Sequence, residues 1–303
     1  MTARVLPFVL LALLAGCRRA PSPTVFIDPA LVTLIPADTV VLAGVRVEQL
    51  AKTQFWKDYV EKGRVPALES FRRRTGLNVP RDLWELLLSS DGKNTIVFLR
   101  GKFSDMGMEP RLEREGVQRM SYKGLTMIGD ESYAVLFLNP STAAVAPAPV
   151  LRRVVDTRNT LAGVPHALGE RIKKIPSTNQ AWFAASVGGM IPGGEALSGN
   201  WANLARMARS VEYARGGLDL RTEFHANVYL ETGGAQQAER LSAAVRALLG
   251  IGRLSTTDQQ REMLSVYDGM HVAQEDGAVH FSTDIPYAVL EKAAAEIPLF
   301  GAP

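Results

Sequence analysis

The sequence predicts an α+β protein of two lobes, each an antiparallel or mixed sheet with helices packed on one face. Three observations lead there. Short apolar runs of strand length alternate with segments whose apolar residues recur at helical spacing, from Ile35 almost to the C-terminus. Neighbouring strand-like runs are joined by two-residue turns, Lys123-Gly124, Gly129-Asp130 and Asp276-Gly277, too short for a crossover and hence antiparallel. Strand, helix, antiparallel strands and helix also occur in that order both before residue 176 and after it, which divides the chain into lobes at 35–176 and 177–303.

Taken in order, Val40–Val47 is β-branched and apolar, hence a strand, and Glu48–Lys62 carries Leu50, Phe55, Trp56 and Tyr59 at helical spacing. Val65–Arg74 reads as a helix stopped at Gly76, and Pro80 opens a short helix with Leu83, Leu86 and Leu87 on one face. Asp91-Gly92 turns the chain into Thr95–Leu99, whose unbroken apolar run marks a strand covered on both sides. A short helix at Glu109–Glu115 precedes strands at Val117–Tyr122, Leu125–Ile128, Tyr133–Leu138 and Thr142–Ala146. Helices follow at Val150–Leu161 and His166–Ile175, bounded by Pro165 and Pro176.

In the second half, Ala181–Ser186 is a strand, a glycine-rich loop runs to Gly199, and Trp201–Arg209 is a helix. Val211–Leu220 and Thr222–Glu231 alternate as the arms of a hairpin. Ala238, Leu241, Val245 and Leu248 share one face of a helix from Ala235 to Leu249 that ends at Gly250. A helix at Thr257–Val266, a hairpin of Met270–Gln274 with Ala278–Thr283, and a helix at Tyr287–Ile297 complete the chain. Trp56, Trp84, Trp182 and Trp201 lie within these patterns and read as core residues.

With 47% hydrophobic and 21% charged residues the composition is globular, and a net charge of +3 from 34 basic and 31 acidic residues does not call for a nucleic-acid partner. Arg72-Arg73-Arg74 ends a helix, where cations suit the macrodipole and water solvates them. Cys17 is the only cysteine, so no internal disulfide is available and stability rests on an apolar core.

The first residues carry one positive charge, Arg4, and an apolar stretch from Val5 to Ala15 that is too short to span a bilayer and suits a signal peptide over residues 1–16. That stretch ends in Leu14-Ala15-Gly16-Cys17, which resembles the lipobox of bacterial lipoproteins. The resemblance implies that a peptidase recognises Leu14, Ala15 and Gly16, that the Cys17 sulfur carries a diacylglycerol, and that the new amine is acylated, with palmitate-like chains holding the protein at a membrane. Arg18, rather than an aspartate, follows the cysteine, which by the same resemblance points to the outer membrane of a two-membrane cell. The run Arg18-Arg19-Ala20-Pro21-Ser22-Pro23 has no apolar period and reads as an extended tether, with residues 17–34 leading from the anchor to the first lobe.

Ile35–Val45 (IPADTVVLAGV), Thr75–Asn94 and Tyr122–Thr126 are similar to segments of exported bacterial proteins that have no assigned activity. This likeness covers under half the chain and implies no functional residues.

The sharpest catalytic pattern is Ala184-Ala185-Ser186-Val187-Gly188, which follows a predicted strand and resembles the nucleophile elbow of α/β-hydrolases. Ser186 is its candidate nucleophile, with Asp219 or Asp268 and His271 or His280 as partners. Against it, an elbow needs parallel strands and the neighbouring runs are antiparallel. Gly188, Gly189, Gly193, Gly194 and Gly199 lie between strand and helix, where phosphate cradles occur, but Glu195-Ala196 stands where a phosphate loop carries lysine and hydroxyl. His166, His225, His271 and His280 have no metal-ligand spacing, and no cofactor motif is present. The sequence therefore leads to a membrane-anchored envelope protein with a non-catalytic binding or scaffolding role. The alternatives are a Ser186 hydrolase and a carrier holding a small apolar or lipid ligand between the lobes. Partners are then the membrane through the anchor, and another envelope protein or a small apolar ligand.

Overall fold

The structure, a computed structural model, describes residues 23–75, 77–103, 118–158, 163–188, 209–257, 260–289 and 292. Its strands are β1 (Val41–Val45), β2 (Leu83–Ser90), β3 (Thr95–Gly101), β4 (Gln118–Tyr122), β5 (Leu125–Gly129), β6 (Ala134–Asn139), β7 (Thr142–Ala146), β8 (Ala181–Ser186), β9 (Val211–Asp219), β10 (Phe224–Thr232), β11 (Met270–Glu275) and β12 (Ala278–Ile285). The helices are α1 (Pro29–Val32), α2 (Val47–Leu50), a π-helical turn (Trp56–Val60), α3 (Pro66–Thr75), α4 (Val79–Asp82), α5 (Ala148–Thr157), α6 (His166–Ile172), α7 (Ala235–Ser255) and α8 (Arg261–Asp268).

The α+β class holds, but the expected two lobes do not. The described strands form a single 12-stranded sheet in the order β11-β12-β10-β9-β8-β1-β2-β3-β7-β6-β5-β4. The two halves of the chain meet at β1. One edge of β1 pairs with β2, Leu42 opposite Ser89, and the other with β8, Leu42 opposite Ala184, both antiparallel. Both ladders of β1 are thus filled, and the backbone groups that separate lobes would leave bare are satisfied across the junction.

Helices cover both faces rather than one. Alternation along the strands sends Leu42, Leu87, Phe98 and Ala144 to a face packed by α5 and α6 through Leu151, Val154, Leu168 and Ile172. The opposite parity, Val45, Leu86, Leu99 and Ala143, meets α2, the π-helical turn and α3 through Val47, Trp56 and Leu68. Leu31, Leu42, Leu87, Phe98 and Leu151 are fully buried. Each such side chain contributes about 1.5–3 kcal/mol relative to leaving it in water.

Several elements depart from the sequence reading. Leu83–Leu87, expected as a helix, opens β2; an irregularity in the pairing between Leu83 and Glu85 interrupts the alternation. Trp84, expected in the core, is 46% exposed, whereas Trp56 and Trp182 are buried; Trp201 lies outside the described residues. The helix α7 passes Gly250 and runs to Ser255. Its far end carries Leu248, Ile251 and Leu254, which form an apolar ridge exposed to solvent.

The segment expected as part of a tether is built into the fold from Thr24 onward. Thr24 bridges Pro176, Val25 N donates to Ile175 O (2.8 Å), and Ser177 N donates to Pro23 O (2.8 Å). Val25, Ile27 and Leu31 enter the core beside α5 and α6. Asp28 caps α1 by accepting from Ala30 N (2.8 Å), and its other carboxylate oxygen accepts from Arg100 Nε (2.8 Å). This strap connects whatever precedes residue 23 directly to the middle of the sheet. The leader, Leu14, Ala15, Gly16 and Cys17 lie outside the described residues.

Candidate binding site

Where α5 crosses the end of the β2–β3 hairpin, a cavity of about 300 Å³ opens. Ile96, Val150 and Val154 give it an apolar wall, and Pro36-Ala37-Asp38-Thr39 closes one side. Local chemistry fixes each part. Thr39 sits in the turn before β1, its N–H and hydroxyl both donating to Pro36 O (3.2 and 2.6 Å). Across from it, Ser89 Oγ and Thr39 Oγ1 are 2.8 Å apart, both side chains buried. The hairpin turn is held by Asp91, whose carboxylate accepts from Lys93 N (2.7 Å), Asn94 N (2.6 Å) and Asn94 Nδ2 (2.9 Å). The Asn94 side-chain and backbone donors hold that carboxyl down at about 2, so Asp91 is a fixed anion whose acceptors are already taken.

Helix α5 presents Val150, Leu151, Val154 and Val155 to the core. Its outer charges are largely paired: Arg152 with Glu131, and Asp156 with Lys123. Arg153 differs. It lines the cavity mouth, exposed, where its charge acts on Asp91 across the mouth and helps hold that carboxyl down. Asp38 lines the same mouth and is likewise exposed, and it is unpaired among the described residues. The sequence reading missed this site, because residues 36–39, 89–96 and 150–157 carry no motif in common and are brought together only by the sheet.

A second polar array lies on the C-terminal half of the sheet, on the same face as α6. Arg171 of α6 pairs with Glu231 (2.8 Å) and stacks over Tyr213 (3.5 Å to the ring centroid). Arg215 stacks over Tyr229 (3.8 Å), and Tyr229 lies parallel to His280 at 4.1 Å. Asn227 then links the histidines. Its Nδ2 is 2.6 Å from His225 Nε2, its Oδ1 is 2.8 Å from His280 Nε2, and Asp284 and Glu275 engage the outer ring nitrogens. The array forms a ladder of cross-strand pairs that stiffens the sheet, with Arg215 Nε and Glu231 Oε1 buried and held by their ion pair (3.4 Å) rather than by a hydrogen bond.

Ser186 ends β8 opposite Tyr213, with its N–H donated to Val40 O (2.8 Å). β9 and β10 intervene between it and His280 on β12, a separation of roughly 14 Å at ordinary strand spacing. His271 is one strand further. Asp219 is engaged by Arg221, and Asp268 pairs with Arg253. Every pairing around β8 is antiparallel, so the parallel setting of a nucleophile elbow is absent there and the catalytic candidates are not brought together. His271 and His280 share a hairpin face, but they oppose Ser282 and Ala273 rather than one another. Among the described residues no group of three histidines, cysteines or carboxylates could hold a metal. Arg72 pairs with Glu69 (2.9 Å) and Arg73 is exposed, as expected of a solvated helix end. Gly188 is described; the rest of the glycine-rich loop lies outside the described residues.

No protein-family model matches the chain, and no curated protein matches it. Among solved structures, crystal form I of TP0453 is similar with a TM-score of 0.50 and 13% identity, over 89% of this chain and 98% of that one. Crystal form III of the same protein gives a TM-score of 0.46 at 12% identity, over 90% and 99%. At this identity the first likeness is one of fold: nearly the whole chain follows an architecture also seen in TP0453. Among the described residues no helix is long and apolar enough to cross a membrane.

Proposed function

We propose that the chain is a lipid-anchored protein of the cell envelope with a binding role, its ligand held in the cavity between α5 and the β2–β3 hairpin. The observation that carries this reading is that cavity: an apolar wall under a mouth lined by the charged side chains of Asp38, Asp91 and Arg153, the form of a small-ligand site. It replaces the carrier reading's cleft between lobes with a pocket between sheet and helix. The anchor follows from Leu14-Ala15-Gly16-Cys17. Five residues separate Cys17 from the strap at Pro23, a reach of about 20 Å at full extension, so the fold sits against the surface to which it is tied. Two or three acyl chains, at about 0.8 kcal/mol per buried CH₂, make such attachment effectively permanent. Outer-membrane placement, facing the periplasm, is the location we assign.

Mass spectrometry of the native mature N-terminus, with detergent phase partition, tests the anchor. The native protein should carry acyl mass on Cys17 and enter the detergent phase, and Cys17→Ser should stay in the aqueous phase with an unchanged circular dichroism spectrum. An unacylated native Cys17 overturns the anchor.

A further inference from the structure

We infer that the protein stands end-on against a lipid bilayer: the end of the sheet from which the strap leaves toward Cys17 is a membrane-docking surface, with Phe26, Trp84 and the tip of α7 entering the interfacial layer. The inference rests on the lipid-anchored reading above and adds which part of the fold the anchor draws against the membrane.

Among the described residues five large apolar side chains are exposed: Phe26, Trp84, Leu248, Ile251 and Leu254. Exposed apolar residues scattered singly need no account, but these share one place. The antiparallel register brings the close of β1 and β12 to the same end of the sheet as the start of β2, β8, β10 and β11. Trp84 is the second residue of β2 and so lies at that end. Phe26 lies in the strap between Val25, bonded to Ile175 O, and Asp28, bonded to Arg100, whose guanidinium is 6.0 Å from the Trp84 ring centroid. Val25 and Ile27 enter the core, which leaves Phe26 pointing outward.

Helix α7 begins at the opposite end, where Gln274 Nε2 donates to Ala235 O (3.1 Å), and its 21 residues carry it about 30 Å back along the sheet. Its tip is fixed beside the start of β11, because Gly252 lets Tyr267 approach and Arg253 pairs with Asp268, two residues before Met270. Leu248, Ile251 and Leu254 recur every three residues as one ridge on that tip, Leu254 being 88% exposed. Tyr287, just past β12, packs on Phe55 and Tyr59 beyond β1 (ring centroids 6.0 and 6.3 Å), so this end holds together across the sheet. The other end is polar, with Asp91, Lys93 and Asn94 in the β2–β3 turn and Glu275 and Asp276 in the β11–β12 turn.

The chain ahead of the structure says what covers the apolar end. Cys17 is separated from Pro23 by five residues, and Pro23 O accepts from Ser177 N just before β8 begins, so the tether holds this end, and no other, within about 20 Å of the acyl chains. Arg18 and Arg19 on the tether match an anionic headgroup layer. Trp84, with Arg100 beside it, suits the zone where amphipathic rings sit. The strap and α7 pack on opposite faces of the sheet and share only its end, which is a shape that a plane meets and a groove on a protein partner does not.

The test uses the lipidated mature protein in phosphatidylcholine vesicles containing phosphatidylglycerol, with a nitrobenzoxadiazole label on Phe26→Cys, Trp84→Cys, Leu254→Cys or, at the polar end, Lys93→Cys. Dithionite should bleach the first three severalfold more slowly than the fourth. Equal bleaching at all four positions, in protein whose acyl mass and flotation with the vesicles are confirmed, overturns the docking and leaves the anchor. An unacylated native Cys17 overturns the anchor, and the docking is then decided by the unacylated chain of residues 17–303. Its vesicle partition coefficient should fall about tenfold or more in Phe26→Ser/Leu254→Ser, the order expected for two apolar side chains withdrawn from the interface. Both positions are exposed, so the variant should keep its circular dichroism spectrum. A partition that the double variant leaves unchanged overturns the docking. Dimerisation of the 17–303 chain without vesicles, abolished by the same variant, gives this end to a second copy and overturns it as well.

Discussion

Arg100 Nε donates to Asp28 Oδ2 at 2.8 Å, a contact between residues 72 positions apart that clasps the N-terminal strap onto the end of β3. Arg100 also reaches Ser141 Oγ (2.8 Å) and Thr142 Oγ1 (2.7 Å), so its orientation is fixed by β7 as well as by the strap. Asp28→Asn removes the charge from a pair whose side chains are only 18% and 29% exposed. Urea unfolding should show a loss of about 1–3 kcal/mol at unchanged m-value. An unmoved midpoint would mean that Val25, Ile27 and Leu31 hold the strap without the clasp.

Glu85 lies close to that clasp, near Asp28, Arg46 and Arg100, with Oε1 buried and without a hydrogen-bond partner in the structure. Burial first, and the Asp28 charge second, push its carboxyl up to about 7, against the pull of Arg46 and Arg100. A carboxyl raised in the folded state adds stability that is complete below its ordinary value near 4.5 and is lost as pH rises through about 7. The stability curve should therefore fall between roughly pH 5 and 8, by about 2 kcal/mol at most after solvent screening. Glu85→Gln should flatten that fall and be the more stable protein at pH 8. A parallel pH curve for the variant would remove Glu85 as its cause.

Gly44 faces the indole of Trp182 across the β1–β8 pair. A Cβ there would come within 2.4 Å of Trp182 Cε2 and Nε1, inside any tolerable contact. Gly44→Ala should displace the ring and cost about 1–3 kcal/mol by overpacking. The accompanying red shift of tryptophan emission, absent in Gly44→Ala/Trp182→Phe, ties the effect to this pair.

Glu231 neutralises Arg171 and accepts its Nε (3.0 Å), and it lies 3.4 Å from Arg215 Nε. All three side chains are at most 20% exposed. Glu231→Gln leaves two partly buried guanidinium groups without their anion and should cost about 3 kcal/mol. Truncating both partners in Arg171→Met/Glu231→Met should cost less than the single change; a larger cost in the double variant would refute the ion-pair account.

Most strands were legible because β-branched runs and two-residue turns are local signals. What failed was non-local or locally ambiguous. Leu83, Leu86 and Leu87 fit a helical face, yet both edges of their segment are claimed, by β1 and β3, and the irregular pairing at Glu85 masks the strand period. Gly250 looked like a helix stop, but α7 runs through it to Ser255, and Gly252 lets Tyr267 of α8 approach; a Cβ at 252 would lie 2.6 Å from its hydroxyl. The single sheet was invisible because Leu42 finds Ala184 across more than a hundred residues, which no periodicity encodes. The cavity was hidden for the same reason: Asp38, Ser89 and Arg153 are neighbours in space alone.

The strap also sets how the molecule bears load. Traction on the residues ahead of Pro23 is taken up by the hydrogen bonds that Pro23 and Val25 share with Ser177 and Ile175 and by the buried side chains of Val25, Ile27 and Leu31. Force arriving from the surface is thereby delivered to the core itself, and the strap can be pulled free only by drawing three apolar side chains into water.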